Sequence, residues 1–126
     1  MENARMRLGK RGETEACRYL TAKGHVIVDR NWRSGHLEID LVTLDGSGLH
    51  FVEVKSRTAP FTAHPLDSVG RTKQKRVADA AKAWLHSEKK IISADVEVFF
   101  DVVSVIFAGE EVRVEYYPQA YMPIII

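Results

Sequence analysis

Leu37-Glu-Ile-Asp-Leu-Val-Thr-Leu44, Asp45-Gly-Ser-Gly48, Leu49-His-Phe-Val-Glu-Val-Lys-Ser-Arg57 is the stretch on which the reading of this chain turns. Its two apolar, β-branched runs are separated by four turn-forming residues, the pattern of a β-hairpin. Side chains alternate faces along a strand, so Glu38, Asp40, Val42 and Leu44 are expected on one face of the first run. Leu49, Phe51, Glu53 and Lys55 share a face of the second. A loop symmetric about Gly46 and Ser47 sets Leu44 against Leu49. Opposed residue numbers then sum to 93, which puts Asp40 across from Glu53 and Glu38 across from Lys55. Opposed Cβ atoms lie roughly 5 Å apart, and like charges at that spacing destabilise a sheet.

A divalent cation is the simplest compensation, because Mg²⁺ and Mn²⁺ prefer carboxylate oxygens and are commonly held by one or two of them together with substrate phosphate. In that reading Asp40 and Glu53 are metal ligands. Lys55 positions or deprotonates the attacking water and meets charge developing on a phosphate. Glu38 is a further ligand or the partner of Lys55. The alternative is an ordinary cross-strand ion pair and an exposed glutamate on a one-sided sheet. Against it, Val42, Leu44, Leu49 and Phe51 make the same face apolar near the turn, and charges beside a buried face need a reason.

Around this hairpin the remaining elements fall in the order αβββαββ, which predicts an α/β domain with a mixed sheet of about five strands and helices packed on it. A helix is expected from about Gly9 to Lys23, ended by Gly24. Its inward stripe of Ala16, Cys17 and Leu20 continues one turn back to Glu13, so a carboxylate is aimed toward the core side, where it is expected to complete the metal's outer shell or bind a second ion. A short strand is expected at 25–29. After the hairpin come an irregular connection over 58–71, a helix over 72–87 with Val77, Ala80, Ala81, Trp84 and Leu85 on its apolar face, and strands at 97–107 and 111–117. The tail 118–126, broken by Pro118 and Pro123, reads as a docked or frayed end.

The 126 residues suit one domain, with its core over 9–117. The lone Cys17 has no internal disulfide partner, and no Cys/His spacing resembles a zinc site, so a reducing, cytoplasmic setting fits. No run approaches the roughly 20 apolar residues of a membrane span. The net charge of +1 is unevenly spread. Residues 71–90 carry a balance of +5, and 91–126 a balance of −5, as if one face meets phosphates while another stays in solvent. Arg30, Arg33 and Arg57 neighbour the proposed centre in sequence and are candidates to hold phosphate oxygens. Lys73, Gln74, Lys75 and Arg76 stand at a helix N-terminus, where anions are favoured. Asp101, in an otherwise apolar strand, is expected to accept structural hydrogen bonds. Trp84 is expected in the core, and the five histidines show no ligand spacing.

Asp40 followed by Glu53-Val54-Lys55 resembles the D…ExK form of the PD-(D/E)XK nuclease signature. More narrowly, Gly9–Glu13, Arg30–Arg33, Glu38–Leu41, Phe51–Arg57 and Phe100–Val103 resemble, in order, segments of the YraN-like family of small bacterial proteins. The resemblance implies a restriction-endonuclease-like fold, similar to archaeal Holliday-junction resolvases and the tRNA-endonuclease catalytic fold, with Glu13, Asp40, Glu53 and Lys55 on motif positions. One departure is visible: Leu37 stands where that family usually has Gly. The expected activity is Mg²⁺- or Mn²⁺-dependent hydrolysis of phosphodiester bonds in structured or branched nucleic acid, with DNA as the expected partner. Resolvase-like enzymes act as homodimers, for which Ile124-Ile125-Ile126 offers an apolar contact. The other classes open to the sequence are a catalytically silent nucleic-acid-binding module and a protein-interaction domain using the acidic C-terminal third.

Overall fold

The computed structural model describes residues 2–60, 64, 66, 70–87 and 95–122. The chain forms α1 (Ala4–Ala22), β1 (Val26–Ser34), β2 (Leu37–Leu44), β3 (Leu49–Thr58), α2 (Arg71–Ser87), β4 (Val98–Ala108) and β5 (Glu111–Tyr121). This is the order αβββαββ. The five strands lie side by side in sequence order in one mixed sheet. β3 and β4 are parallel and joined through α2, while every other neighbouring pair is antiparallel.

Each face of the sheet carries a helix. Val42, Leu49, Phe51 and Phe100 pack with Ala80, Ala81 and Trp84 of α2, and Trp84, as expected, is fully buried. Leu41, Val52, Val103, Val105 and Phe107 pack with Ala16 and Leu20 of α1. β4 is therefore buried on both faces, which explains its continuous apolar run. No helix among the described residues is long and apolar enough to cross a membrane.

Three boundaries differ from the sequence reading by more than one residue, each for a local reason. α1 begins five residues early because the Asn3 side chain caps it, accepting the Met6 N–H at 2.9 Å. β1 runs on through the polar Arg30–Ser34, pairing with β2 down to Ser34–Leu37 across a two-residue turn in which Gly35 takes φ +61°. As an edge strand it needs few apolar residues. β5 continues past Pro118 to Tyr121 through an irregularity opposite Phe100–Val102. There the Gln119 N–H donates to Asp101 Oδ1 at 2.9 Å, and an edge strand with a bulge tolerates proline. The proposed dimer contact at Ile124–Ile126, the charges at 88–90 and Pro65 lie outside the described residues.

A candidate functional site in the fork between two strands

The hairpin register is the one read from the sequence, but it stops early. Leu44–Leu49, Thr43–His50, Val42–Phe51 and Leu41–Val52 pair with numbers summing to 93, and the ladder ends there. Beyond it β2 stays with β1, and β3 stays with β4 as far as Thr58. The two strands thus part into a fork whose crotch lies between Asp40 and Val54. Asp40 Oδ2 accepts the Val54 N–H at 2.9 Å, standing in for the lost backbone partner.

β1 is distorted at the same level. Arg30 pairs with Leu41 and Trp32 with Ile39, which leaves Asn31 across from Asp40. Asn31 has φ +51°, a left-handed conformation that asparagine tolerates better than most residues. Ile39 packs in the α2-side cluster together with Val42, whereas Leu41 packs on the α1 side. Strict alternation therefore fails across Asp40, contrary to the expected common face of Glu38, Asp40 and Val42. The distorted partner strand is the physical reason, since a local twist re-aims the side chains.

Three further acids surround Asp40. Burial raises its carboxyl to about 6, with the negative charges of Glu53, Glu13 and Glu38 adding to the effect against the Val54 hydrogen bond. Glu13 arrives from α1 because Gly12 lets the helix touch β3: a Cβ on Gly12 would fall 1.6 Å from Ser56 Oγ and 2.8 Å from Ser56 Cβ. Burial also raises the Glu13 carboxyl, opposed by a hydrogen bond with the Asn31 side chain and by Arg30 and Arg33. Glu13 Oε1 and Glu53 Oε2 are buried without a hydrogen-bond partner. A buried carboxylate oxygen left so carries a desolvation cost that a hydrogen-bond donor, a proton or a cation relieves.

Cations stand close by. Glu53 Oε1 pairs with Lys55 Nζ at 3.2 Å and with Lys73 Nζ, which α2 delivers over β3. Burial pushes the Lys55 ammonium down, with the positive charge of Lys73 adding to it against the attraction of Glu53. For Lys73, burial acts downward, but contact with Glu53 outweighs it and raises its pKa. Glu38, Asp40, Glu53, Lys73 and Arg76 line a cleft of about 150 Å³ with Ile39, Phe51, Val52 and Val77.

The fold brings together most, but not all, of the residues expected at the centre. Glu38 does not face Lys55; it is exposed and pairs with Arg33 at 3.4 Å, because the ladder that was to oppose them has already ended. Asp40 and Glu53 likewise fall one step beyond the last pair. Arg30 and Arg33 lie within electrostatic reach of Glu13. Arg57 donates to the His64 carbonyl at 3.4 Å. Lys75 pairs with Asp79 along the helix surface at 3.1 Å, and neither it nor Gln74 lines the cleft. Asn31, inside the Arg30–Arg33 segment, bonds the Glu13 side chain and is a site residue that the sequence pattern does not single out. Trp32 packs partly buried against the α2-side cluster.

A second polar cluster lies at the other end of the hairpin. Among the described residues, the one group of three or more potential ligands whose atoms all lie within 4.8 Å of one another is His25, Asp45 and His50. The acids of the fork are more loosely arranged. Asp101 accepts structural hydrogen bonds, as expected: the backbone N–H of Gln119 and the Tyr116 hydroxyl donate to it, and His50 Nδ1 lies against it. Sequence spacing could not reveal this cluster, because its members come from a helix end, a turn and a strand.

Comparison with known proteins finds relatives along most of the chain. A protein of Bacteroides thetaiotaomicron named as a UPF0102 protein is 39% identical over 116 residues, covering 92% of this chain and 93% of its own. One from Anaeromyxobacter dehalogenans, with the same name, is 41% identical over 119 residues, covering 94% and 87%. One from Chlorobium chlorochromatii is 41% identical over 113 residues, covering 89% and 84%. The profile described as Uncharacterised protein family UPF0102 matches residues 12–105, a span that begins beside Glu13 and contains the whole fork, so the chain belongs to the UPF0102 family.

Proposed function

We propose that this chain is a metal-dependent nuclease of the PD-(D/E)XK type that hydrolyses phosphodiester bonds in structured or branched nucleic acid. The observation that carries the reading is the fork. There a carboxyl held at about 6 has Glu13 and Glu53, each with a buried, unpartnered oxygen, within electrostatic reach, and two lysines pair with Glu53. The donor set fits a hard cation, since all its atoms are carboxylate oxygens. Asp40, Glu53 and Glu13 would hold Mg²⁺ or Mn²⁺. The chemistry such an ion supplies when bound is polarisation of the phosphoryl group and a lowered pKa for bound water.

The chain's own residues supply the rest. Asp40 is fixed by the Val54 N–H, so its free oxygen is presented without rotamer loss. Lys55, whose proton is loosened by burial, is suited to orient the attacking water and exchange a proton with it. Lys73 and Arg76 form the cationic wall against which phosphate oxygens sit. Lys73 must exchange Glu53 for phosphate as substrate enters.

A second reading, a nucleic-acid-binding module without turnover, is favoured by two observations: Lys73 already neutralises Glu53, and the acids are not closely gathered. Cleavage of duplex, flap and four-way-junction DNA with Mg²⁺ or Mn²⁺ tests the first. Wild type is expected to cut, and Asp40→Ala and Lys55→Ala to lose activity. Equal rates in all three would end the nuclease assignment. Salt-sensitive DNA binding without Mn²⁺ uptake would establish the module.

A further inference from the structure

We propose that His25, Asp45 and His50 form a binding site for a transition-metal cation of the zinc class, at the hairpin tip and independent of the acidic fork. Both imidazoles turn Nε2 to the same carboxylate: His50 Nε2 is 2.8 Å from Asp45 Oδ1, and His25 Nε2 is 3.4 Å from Asp45 Oδ2. Their other ring nitrogens are engaged elsewhere. His50 Nδ1 is 2.6 Å from Asp101 Oδ2, and His25 Nδ1 is 2.7 Å from Thr43 Oγ1.

That is the arrangement of ligating histidines, in which the non-ligating N–H donates to a carboxylate or hydroxyl and thereby fixes the tautomer. With Nδ1 carrying the hydrogen on each ring, both Nε2 lone pairs converge on one point beside Asp45. Two imidazole nitrogens and one carboxylate oxygen are the donors of a three-ligand zinc site with a fourth position open. The nitrogen donors disfavour Mg²⁺ and Ca²⁺.

The surroundings are built to hold the ligands still. The Ser47 and Gly48 N–H groups donate to Asp45 Oδ1 at 3.0 and 3.1 Å, leaving Oδ2 with His25 alone. The two imidazole centroids are 4.6 Å apart, and Phe99 stacks on His50 at 5.0 Å. Both histidines are almost wholly buried, while the Asp45 side chain keeps 22% of its exposure and opens the path to solvent.

Two buried histidines side by side would repel if both were charged. In the absence of a cation, burial lowers the pKa of His25, helped by the charge of His50. For His50, burial acts the same way but is outweighed by Asp101 and Asp45, which raise it. A proton on His50 Nε2 therefore occupies the position that the cation takes, and binding must release it.

The test uses the full chain with ¹⁵N-labelled histidine, titrated with Zn²⁺ in excess Mg²⁺ so that the oxygen-rich fork is already occupied. Expected are uptake of one equivalent, perturbation of the His25 and His50 Nε2 resonances with Nδ1 still protonated, and proton release seen as buffer-dependent binding heat. Asp45→Asn should weaken Zn²⁺ by at least the roughly 10- to 100-fold that loss of an outer partner alone costs, and Asp40→Asn should leave it unchanged. Should Asp45→Asn misfold, the ring resonances of the wild type decide alone. No uptake, or uptake that leaves both Nε2 signals in place, would overturn the proposal and make the cluster a closed hydrogen-bond network around a charged His50. Uptake lost with Asp40→Asn but kept with Asp45→Asn would overturn it too.

Discussion

Asp40 is held in a state that opposes folding. Its carboxyl ionises at about 6 in the folded chain and at 3.8 without the surroundings, because burial and three neighbouring acids resist its charge. A group whose folded pKa is raised gives full support below the unfolded value, and that support is lost as pH rises, here between 3.8 and about 6. The difference corresponds to about 3 kcal/mol at neutral pH, as an upper bound. Asp40→Asn keeps an oxygen to accept the Val54 N–H and removes the charge. It is expected to stabilise the metal-free protein by about 1–2 kcal/mol near pH 7.5, with no gain near pH 4, while abolishing cleavage. Urea unfolding at the two pH values checks the first part, and a gain of equal size at both would refute it. Cleavage by the wild type should rise as pH passes through about 6, since only the ionised carboxylate binds a cation. A profile flat from pH 5 to 8 would show that Asp40 does not govern the activity.

At the level of elements, the fork depends on how closely α1 lies on β3, and Gly12 sets that distance. Gly12→Ala improves helix propensity by about 1 kcal/mol. It also drives a methyl into Ser56, whose Cβ cannot rotate away, and overpacking of this kind costs about 1–3 kcal/mol. A net loss of about 1 kcal/mol is expected, along with reduced cleavage, because α1 must lift and carry Glu13 with it. Ser56→Gly removes the obstructing atoms, so the penalty for Gly12→Ala should shrink in that background; equal penalties in both would dissociate the two residues. This contact also marks where sequence reading stops. The pairing of Leu41–Leu44 with Leu49–Val52 was legible from turn chemistry and alternation, as was the apolar face of α2. The end of that ladder was not, because a carboxylate replacing a backbone acceptor leaves no periodic trace. Asn31 at positive φ and the meeting of His25 with His50 are likewise products of tertiary placement.

Taken whole, the molecule has two differently equipped ends of one hairpin: oxygen donors among lysines and arginines at the fork, and imidazoles around Asp45 at the turn. With a net charge of only +1, attraction to a polyanion must come from local placement. Arg76 lines the cleft, and Arg33 lies on the Glu13 side of the fork in an exposed pair with Glu38 that contributes little to stability. Lys75, one residue before Arg76, is spent on an exposed pair with Asp79 and does not border the cleft. Each phosphate contact adds roughly one to the slope of log affinity against log salt. Arg76→Ala and Arg33→Ala are therefore expected each to lower that slope by about one and to weaken junction DNA at low salt, with unfolding free energy changed by less than about 0.5 kcal/mol. Lys75→Ala, which removes the same charge from the same helix, should leave the slope unaltered. Fluorescence anisotropy across a salt series for the three variants separates the possibilities. If all three fall together, the attraction is a diffuse property of net charge; if none does, the fork is not where nucleic acid lies.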